Sequence, residues 1–193
     1  MEQRILSGHY GGRWIRSLST RTTRSISARA RETVFDMLCH RSELGGWQNG
    51  YVVDGFCGSG VLGLEALSRG CRQATFIDQD RTAIGTVRAN IKTLGVDGVT
   101  SVIQRDIRRI PSAPQPCQLV FLSPPWSQGS GSVTHLVEGA LLALQRGGWL
   151  EKGTIAVIER AKQHKDNDMG VTWEVVTTRL CGDHAFTFVR YHG

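Results

Sequence analysis

Apolar residues along the chain follow two rhythms. Short runs at Tyr51-Val-Val, Ala74-Thr-Phe-Ile, Val99 to Gln104, Leu119-Val-Phe-Leu122 and Thr154-Ile-Ala-Val-Ile are bounded by turn residues, as buried strands are. Between them, apolar residues three and four apart predict helices over 28–39, from about Leu62, over 81–94 and over 133–145. Strands alternating with helices point to a parallel sheet. Two further runs, Trp173 to Leu180 and Ala185 to Tyr191, alternate around Cys181-Gly-Asp-His and predict an antiparallel pair. At the other end, apolar residues flank Gly11-Gly12, a predicted hairpin. Ser17 to Ser27 has no periodic apolar face and reads as a loop that orders on a partner; Lys162 to Gly170 reads as a polar loop. The expected division is an N-terminal hairpin, loop and helix over 1–46 and an α/β domain over 47–193.

The densest signal is Tyr51-Val-Val-Asp54-Gly-Phe-Cys-Gly58-Ser-Gly60-Val-Leu-Gly63. It predicts a strand, a glycine turn and a helix whose first N–H groups face whatever fills the turn. Gly58-x-Gly60-x-x-Gly63 fits a dinucleotide fingerprint with Asp78 downstream. Against that, Asp54 puts a carboxylate at the strand end, where it would repel a pyrophosphate and attract a cation. S-adenosyl-L-methionine, with a sulfonium and an ammonium, suits Asp54 better than NAD. Asp78, ending the next strand, suits a ribose diol, and Asp80 the N-cap of the following helix. Asp106 suits either an adenine amino group or another N-cap. The fourth strand runs into Ser123-Pro124-Pro125-Trp126. Two prolines fix the backbone acceptors there, and the indole offers a stacking face, a combination that can orient an exocyclic amine.

Charge adds a partner. The net charge is +6, and residues 1–41 carry eight arginines, no lysine and three acids, so most of the excess is in that arm. Arginine forks onto phosphate and stacks on bases, so the arm suggests nucleic acid, with Arg13, Arg24, Arg29 and Arg31 as candidate RNA contacts; a solvated basic face is the alternative. The five cysteines, Cys39, Cys57, Cys71, Cys117 and Cys181, form no C-x-x-C pair, so no zinc or other metal site is expected, and a reduced cytoplasm is the simplest compartment. No apolar run has the length of a membrane span.

These residues resemble the RsmD-type 16S rRNA guanine-N2 methyltransferases over nearly the whole chain. Arg4-Ile-Leu-Ser-Gly-x-x-x-Gly-Arg13 is similar to the family's start, and Arg24-Ser-Ile-Ser-Ala-Arg29-Ala-Arg31-Glu32-Thr-Val-Phe35 to its R-P-T-x-D-R-x-[KR]-E-x-[LV]-F segment. Asp54 to Gly70 is close to its D-x-F-A-G-S-G-x-L-G-[IL]-E-A-L-S-R-G signature. Leu122-Ser-Pro-Pro-Trp126 stands where the family has D-P-P-[YF]. The resemblance implies a Rossmann-like class I methyltransferase fold: a mostly parallel seven-stranded sheet with helices on both faces, the C-terminal antiparallel pair and the small N-terminal extension. It implies S-adenosyl-L-methionine held by Asp54, Phe56, Gly58, Ser59, Gly60, Asp78, Gln79 and Asp106. Catalysis would lie at Ser123, Pro124, Pro125 and Trp126. The partner would be ribosomal RNA or a small-subunit particle, met by a monomer. Three positions depart from the family: Ser123 replaces its acidic residue, Ser25 its proline and Ala28 its aspartate. A hydroxyl at 123 can hydrogen-bond but carries no charge. The expected activity is methylation of a guanine N2 in small-subunit rRNA. The alternatives are a DNA adenine-N6 methyltransferase and a degenerate homologue that binds RNA and cofactor without turnover.

Overall fold

Strand residues alternate between the two faces of one sheet, and the core divides accordingly. Val52, Leu119, Phe121, Ile155, Val157, Phe186 and Phe188 belong to one buried cluster, while Val53, Val120, Leu122, Ala156, Ile158 and Val189 belong to the other. The computed structural model describes residues 1–18, 26–125, 130–162 and 172–193, without the side chains of 130–132. The predicted loops over 17–27 and 162–170 fall largely outside those residues, as do Arg24 and Trp126.

In chain order the elements are β1 (Glu2–Arg4), β2 (Trp14–Arg16), α1 (Ala28–His40), β3 (Tyr51–Gly55), α2 (Val61–Ser68), β4 (Gln73–Asp78), α3 (Arg81–Leu94), β5 (Thr100–Gln104), β6 (Cys117–Leu122), α4 (Ser130–Arg146), β7 (Leu150–Ala161), β8 (Trp173–Cys181) and β9 (His184–Tyr191). The seven-stranded sheet runs β5-β4-β3-β6-β7-β9-β8. The first five strands of that order are parallel, and β9 runs antiparallel between β7 and β8. Helices α1, α2 and α3 supply the first cluster and α4 the second, so helices cover both faces. The order reverses beside β3, where β4 lies on one side and β6 on the other, and a crevice forms outside the carboxyl ends of such strands.

Several boundaries moved for physical reasons. β7 begins at Leu150, not Thr154: Glu151-Lys-Gly breaks the apolar run, but Thr154 Oγ1 donates to Cys117 O at 2.6 Å across a bulge and keeps the strand paired. The hairpin strands are shorter than expected, and residues 5–13 form a wide connection that docks on α2. Asp80 caps α3 as expected, accepting from Thr82 N and Ala83 N, and Gly95 ends it at φ 71°.

The extension shares the core. Ile5, Ile15, Ala30, Val34, Phe35 and Leu38 lie in the same cluster as the sheet residues. Polar contacts fix it further. Glu65 of α2, fully buried, accepts from Leu6 N at 2.8 Å, Ser7 N at 3.1 Å and Arg69 Nε at 2.8 Å. Ser68 Oγ accepts from Tyr10 N and donates to Ser7 O, and Ser68 O accepts from His9 N. Gly8, at φ 81°, lies so close that a Cβ there would sit 1.8 Å from Ser68 O.

Candidate cofactor and nucleic-acid site

β3, β4 and β6 end at one edge, and their last residues build the site. Asp54 is 1% exposed, and its Oδ2 accepts from Gly63 N at 2.9 Å, so the carboxylate ties the strand to the first turn of α2. Burial pushes its carboxyl up to about 8; the Gly63 N–H works against this, and the negative charges of Asp78 and Glu159 add to it. Asp78 Oδ2 accepts from Gly58 N at 3.0 Å and its Oδ1 from Asp80 N at 2.9 Å, which sets the glycine loop against the end of β4. Burial raises the Asp78 carboxyl as well. A carboxylate has about four lone-pair sites, so Asp78 retains capacity for a diol.

The loop between β3 and α2 is bent by its backbone. Gly58 and Gly60 have φ 55° and 77°, and so does a non-glycine, Phe56, at φ 57°. A phenylalanine held left-handed is a strained position of the kind that gathers at ligand sites. At Gly60 a Cβ would meet Val87 Cγ2 at 2.4 Å, so that glycine is required by packing; at Gly58 the nearest atom among the described residues is Leu18 Cδ1 at 3.4 Å, an ordinary tight contact. Gln79, following Asp78, is exposed.

Beside this loop, β6 ends at Leu122 and Ser123-Pro124-Pro125 follows. Ser123 N donates to Gly55 O at 3.4 Å, which joins the turn to the end of β3. The Ser123 Oγ is buried and has no hydrogen-bond partner among the described residues. An unsatisfied buried hydroxyl costs about 1–3 kcal/mol, and at a strand edge it is what a bound polar group would satisfy. The chemistry of the edge fits a cationic amino-acid cofactor: Asp54 gains most from a nearby positive charge, Asp78 suits a diol, and among the described residues only Leu18 Cδ1 comes near a Cβ at Gly58. No helix among the described residues is long and apolar enough to cross a membrane.

Four predicted site residues have other duties. Ser59 is buried and its Oγ accepts from Gln3 Nε2 at 2.5 Å, so it anchors β1 to the glycine loop. Asp106 caps a single helical turn through Arg108 N and holds Arg108 through Nε and Nη2, which pulls its carboxyl below the usual range; the capping alternative is the one observed. Arg31 is 1% exposed, with Nη2 donating to Arg4 O at 2.8 Å and Nη1 to Gln3 Oε1 at 3.3 Å, so it staples β1 to α1 and presents nothing to RNA. Arg13 donates to Thr93 O and Leu94 O at the carboxyl end of α3, a helix-capping role. Arg29 is exposed.

The sequence reading passed over Trp14, Glu159 and His184. Trp14 is 58% exposed on β2, opposite Arg4 and next but one to Arg16, all three on the outward face of the hairpin. Its strict alternation with buried Ile15 was a usable signal. Glu159 and His184 are buried together at the carboxyl edge of β7, with Glu159 Oε1 2.7 Å from His184 Nδ1.

Known proteins share this fold. The family model described as conserved hypothetical protein 95 matches residues 3–190. Ribosomal RNA small subunit methyltransferase D of Haemophilus influenzae is 31% identical over 168 residues, covering 83% of this chain and 80% of that protein. The Escherichia coli protein of the same name is 27% identical over 183 residues, covering 95% and 87%. The solved structure of the methyltransferase candidate yhhF from Escherichia coli superposes with a TM-score of 0.82 at 26% identity, covering 100% of this chain and 99% of the other.

Proposed function

We propose, for a chain that belongs to the RsmD/YhhF family of class I S-adenosylmethionine-dependent methyltransferases, that it methylates the exocyclic N2 amine of a guanine in small-subunit ribosomal RNA. The observation that carries this reading is the strand edge where the Asp54–Gly63 loop and the Ser123-Pro124-Pro125 turn meet, joined by the Ser123 N to Gly55 O bond. The names of the relatives support ribosomal RNA as the substrate class.

When bound, S-adenosylmethionine supplies an activated methyl on a sulfonium centre. Asp54 and Asp78 would hold it through charge and diol contacts, and Phe56, Gly58 and Gln79 would line it. Asp54 does so from beneath the loop, since its carboxylate is buried. The chain's own contribution to rate is placement: Pro124 and Pro125 fix the backbone acceptors at the strand edge where the amine would sit. The target base must leave its stack for N2 to reach this edge. Calorimetry tests the cofactor class. S-adenosylmethionine should bind and NAD should not; binding of NAD alone would overturn the reading.

On the RNA side, the exposed candidates are Arg29 and the Arg4–Trp14–Arg16 face of the hairpin. Two substitutions separate charge from stacking. Arg29→Ala should reduce the log–log salt slope of RNA binding by about 0.7 if it holds one phosphate of a single strand. Trp14→Ala should weaken binding by about 1–3 kcal/mol with the slope unchanged, the mark of a lost base stack. Arg31→Ala should instead lower the melting temperature, because it leaves Arg4 O and Gln3 Oε1 without their donor. Unchanged RNA affinity in Arg29→Ala and Trp14→Ala together would remove this face as the RNA surface.

A further inference from the structure

We infer that Ser123, Glu159 and His184 form a subsite for the donor edge of the target base, with Glu159 the carboxylate that accepts from it. The inference rests on the guanine reading above and names what recognises the base.

Leu122 and Ile158 are the last paired residues of β6 and β7, so Ser123 and Glu159 follow as neighbours on adjacent strands. Alternation puts both on the face of Phe121 and Val157, which is also the face of Val52 and hence of Asp54. The negative charge of Glu159 acts on Asp54, which places the two carboxylates within electrostatic reach at one edge.

Glu159 is held. It pairs with Phe186 in the β7–β9 ladder, and the His184 ring stacks parallel on Phe186 with centroids 5.9 Å apart. His184 Nδ1 lies 2.7 Å from Glu159 Oε1, and both residues are under 10% exposed. A carboxylate sheltered from water, fixed by one partner and still holding spare lone pairs, is a preorganised acceptor. Beside it the Ser123 Oγ is buried and unpartnered among the described residues, so the edge contains a carboxylate and an unused hydroxyl at adjacent positions.

Guanine presents N1–H and the N2 amine side by side, two donors on one edge. A carboxylate is acceptor-only and can take both, while a hydroxyl can add a third contact. Inosine keeps N1–H and lacks the amine. β6 of this chain ends in serine, and Glu159 then supplies the negative charge that serine lacks.

The test is equilibrium binding of an unstructured RNA heptamer with one central guanine and its twin with inosine, without methyl donor. Phosphate contacts cancel in the ratio. Wild type should prefer the guanine RNA roughly tenfold, the scale of one good polar pair to a base. Glu159→Gln should drop that preference below about twofold, with inosine-RNA affinity, salt slope and melting temperature held. Ser123→Asp in the Glu159→Gln background should restore part of the preference, since it returns a carboxylate to the adjacent position. Where Glu159→Gln melts too low to measure, Ser123→Val gives the same ratio test from the other side. An undiminished preference in Glu159→Gln overturns the subsite, as does a wild type without preference. Methyl transfer into RNA guanine by wild type, measured in parallel, shows whether the parent reading survives that failure.

Discussion

Glu65→Ala should release the N-terminal hairpin from α2 and destabilise the protein by about 3–5 kcal/mol, the cost of breaking a buried charge pair and its hydrogen bonds. Glu65 is fully buried, and three donors converge on it: Leu6 N, Ser7 N and Arg69 Nε. Alanine leaves all three donors without their shared buried acceptor. Arg69 loses its ion pair, although its guanidinium still lies 4.9 Å over the Phe35 ring. Glu65→Gln keeps the shape and one oxygen acceptor and should cost less. Thermal melting and limited proteolysis within residues 1–18 measure both effects. A melting temperature and cleavage pattern like wild type would mean that apolar packing of Ile5 and Ile15 alone holds the hairpin.

Asp54→Asn should stabilise the fold at neutral pH while weakening the cofactor. The Asp54 carboxyl is raised from 3.8 to about 8 in the folded protein, chiefly by burial. A raised folded value means that the carboxyl favours folding most at low pH. That contribution is lost as pH climbs from about 4 through about 8, where the unfolded chain ionises and the folded one resists. Asparagine does not titrate and still accepts from Gly63 N. The stability of Asp54→Asn relative to wild type should therefore rise across that window, by on the order of 6 kcal/mol, and level off above it. A cationic ligand favours the ionised form, so binding at pH 6.5 should expel a proton from wild type that Asp54→Asn does not expel. Calorimetry in two buffers of different ionisation enthalpy reads the difference, and comparing the variants cancels the ligand's own titration. Equal proton release in both proteins would show that Asp54 holds the loop and no more.

The fold was legible because two periodicities seldom overlapped. β6 ran as read, since Cys117 to Leu122 is apolar at its centre and stopped by prolines. α3 also ran as read, since Asp80 and Gly95 mark its ends. What the pattern could not show was order in space: that β9 enters between β7 and β8 depends on pairing across the sheet. The placement of Asp54, Gly58 and Asp78 at one strand edge was legible, since their spacing is local to one strand–loop–strand unit. It misled at Arg31 and Ser59, because a charge or hydroxyl on a surface pattern looks the same whether it meets solvent or the hairpin. The Glu65-Ala-Leu-Ser68 segment reads as helix continuing from the glycine loop, yet its polar residues dock the hairpin. Glu159 was hidden for a related reason: it lies on a strand far along the chain, and only the β6–β7 register brings it beside Ser123.

Small-subunit particles lacking their guanine N2 methylation, incubated with the protein and labelled S-adenosylmethionine, should take up label in RNA, and nuclease digestion with mass mapping should find it as N2-methylguanosine at a single position. Label on adenine, in DNA supplied as competitor or in ribosomal protein, or no label from a protein that binds the cofactor, would contradict the account.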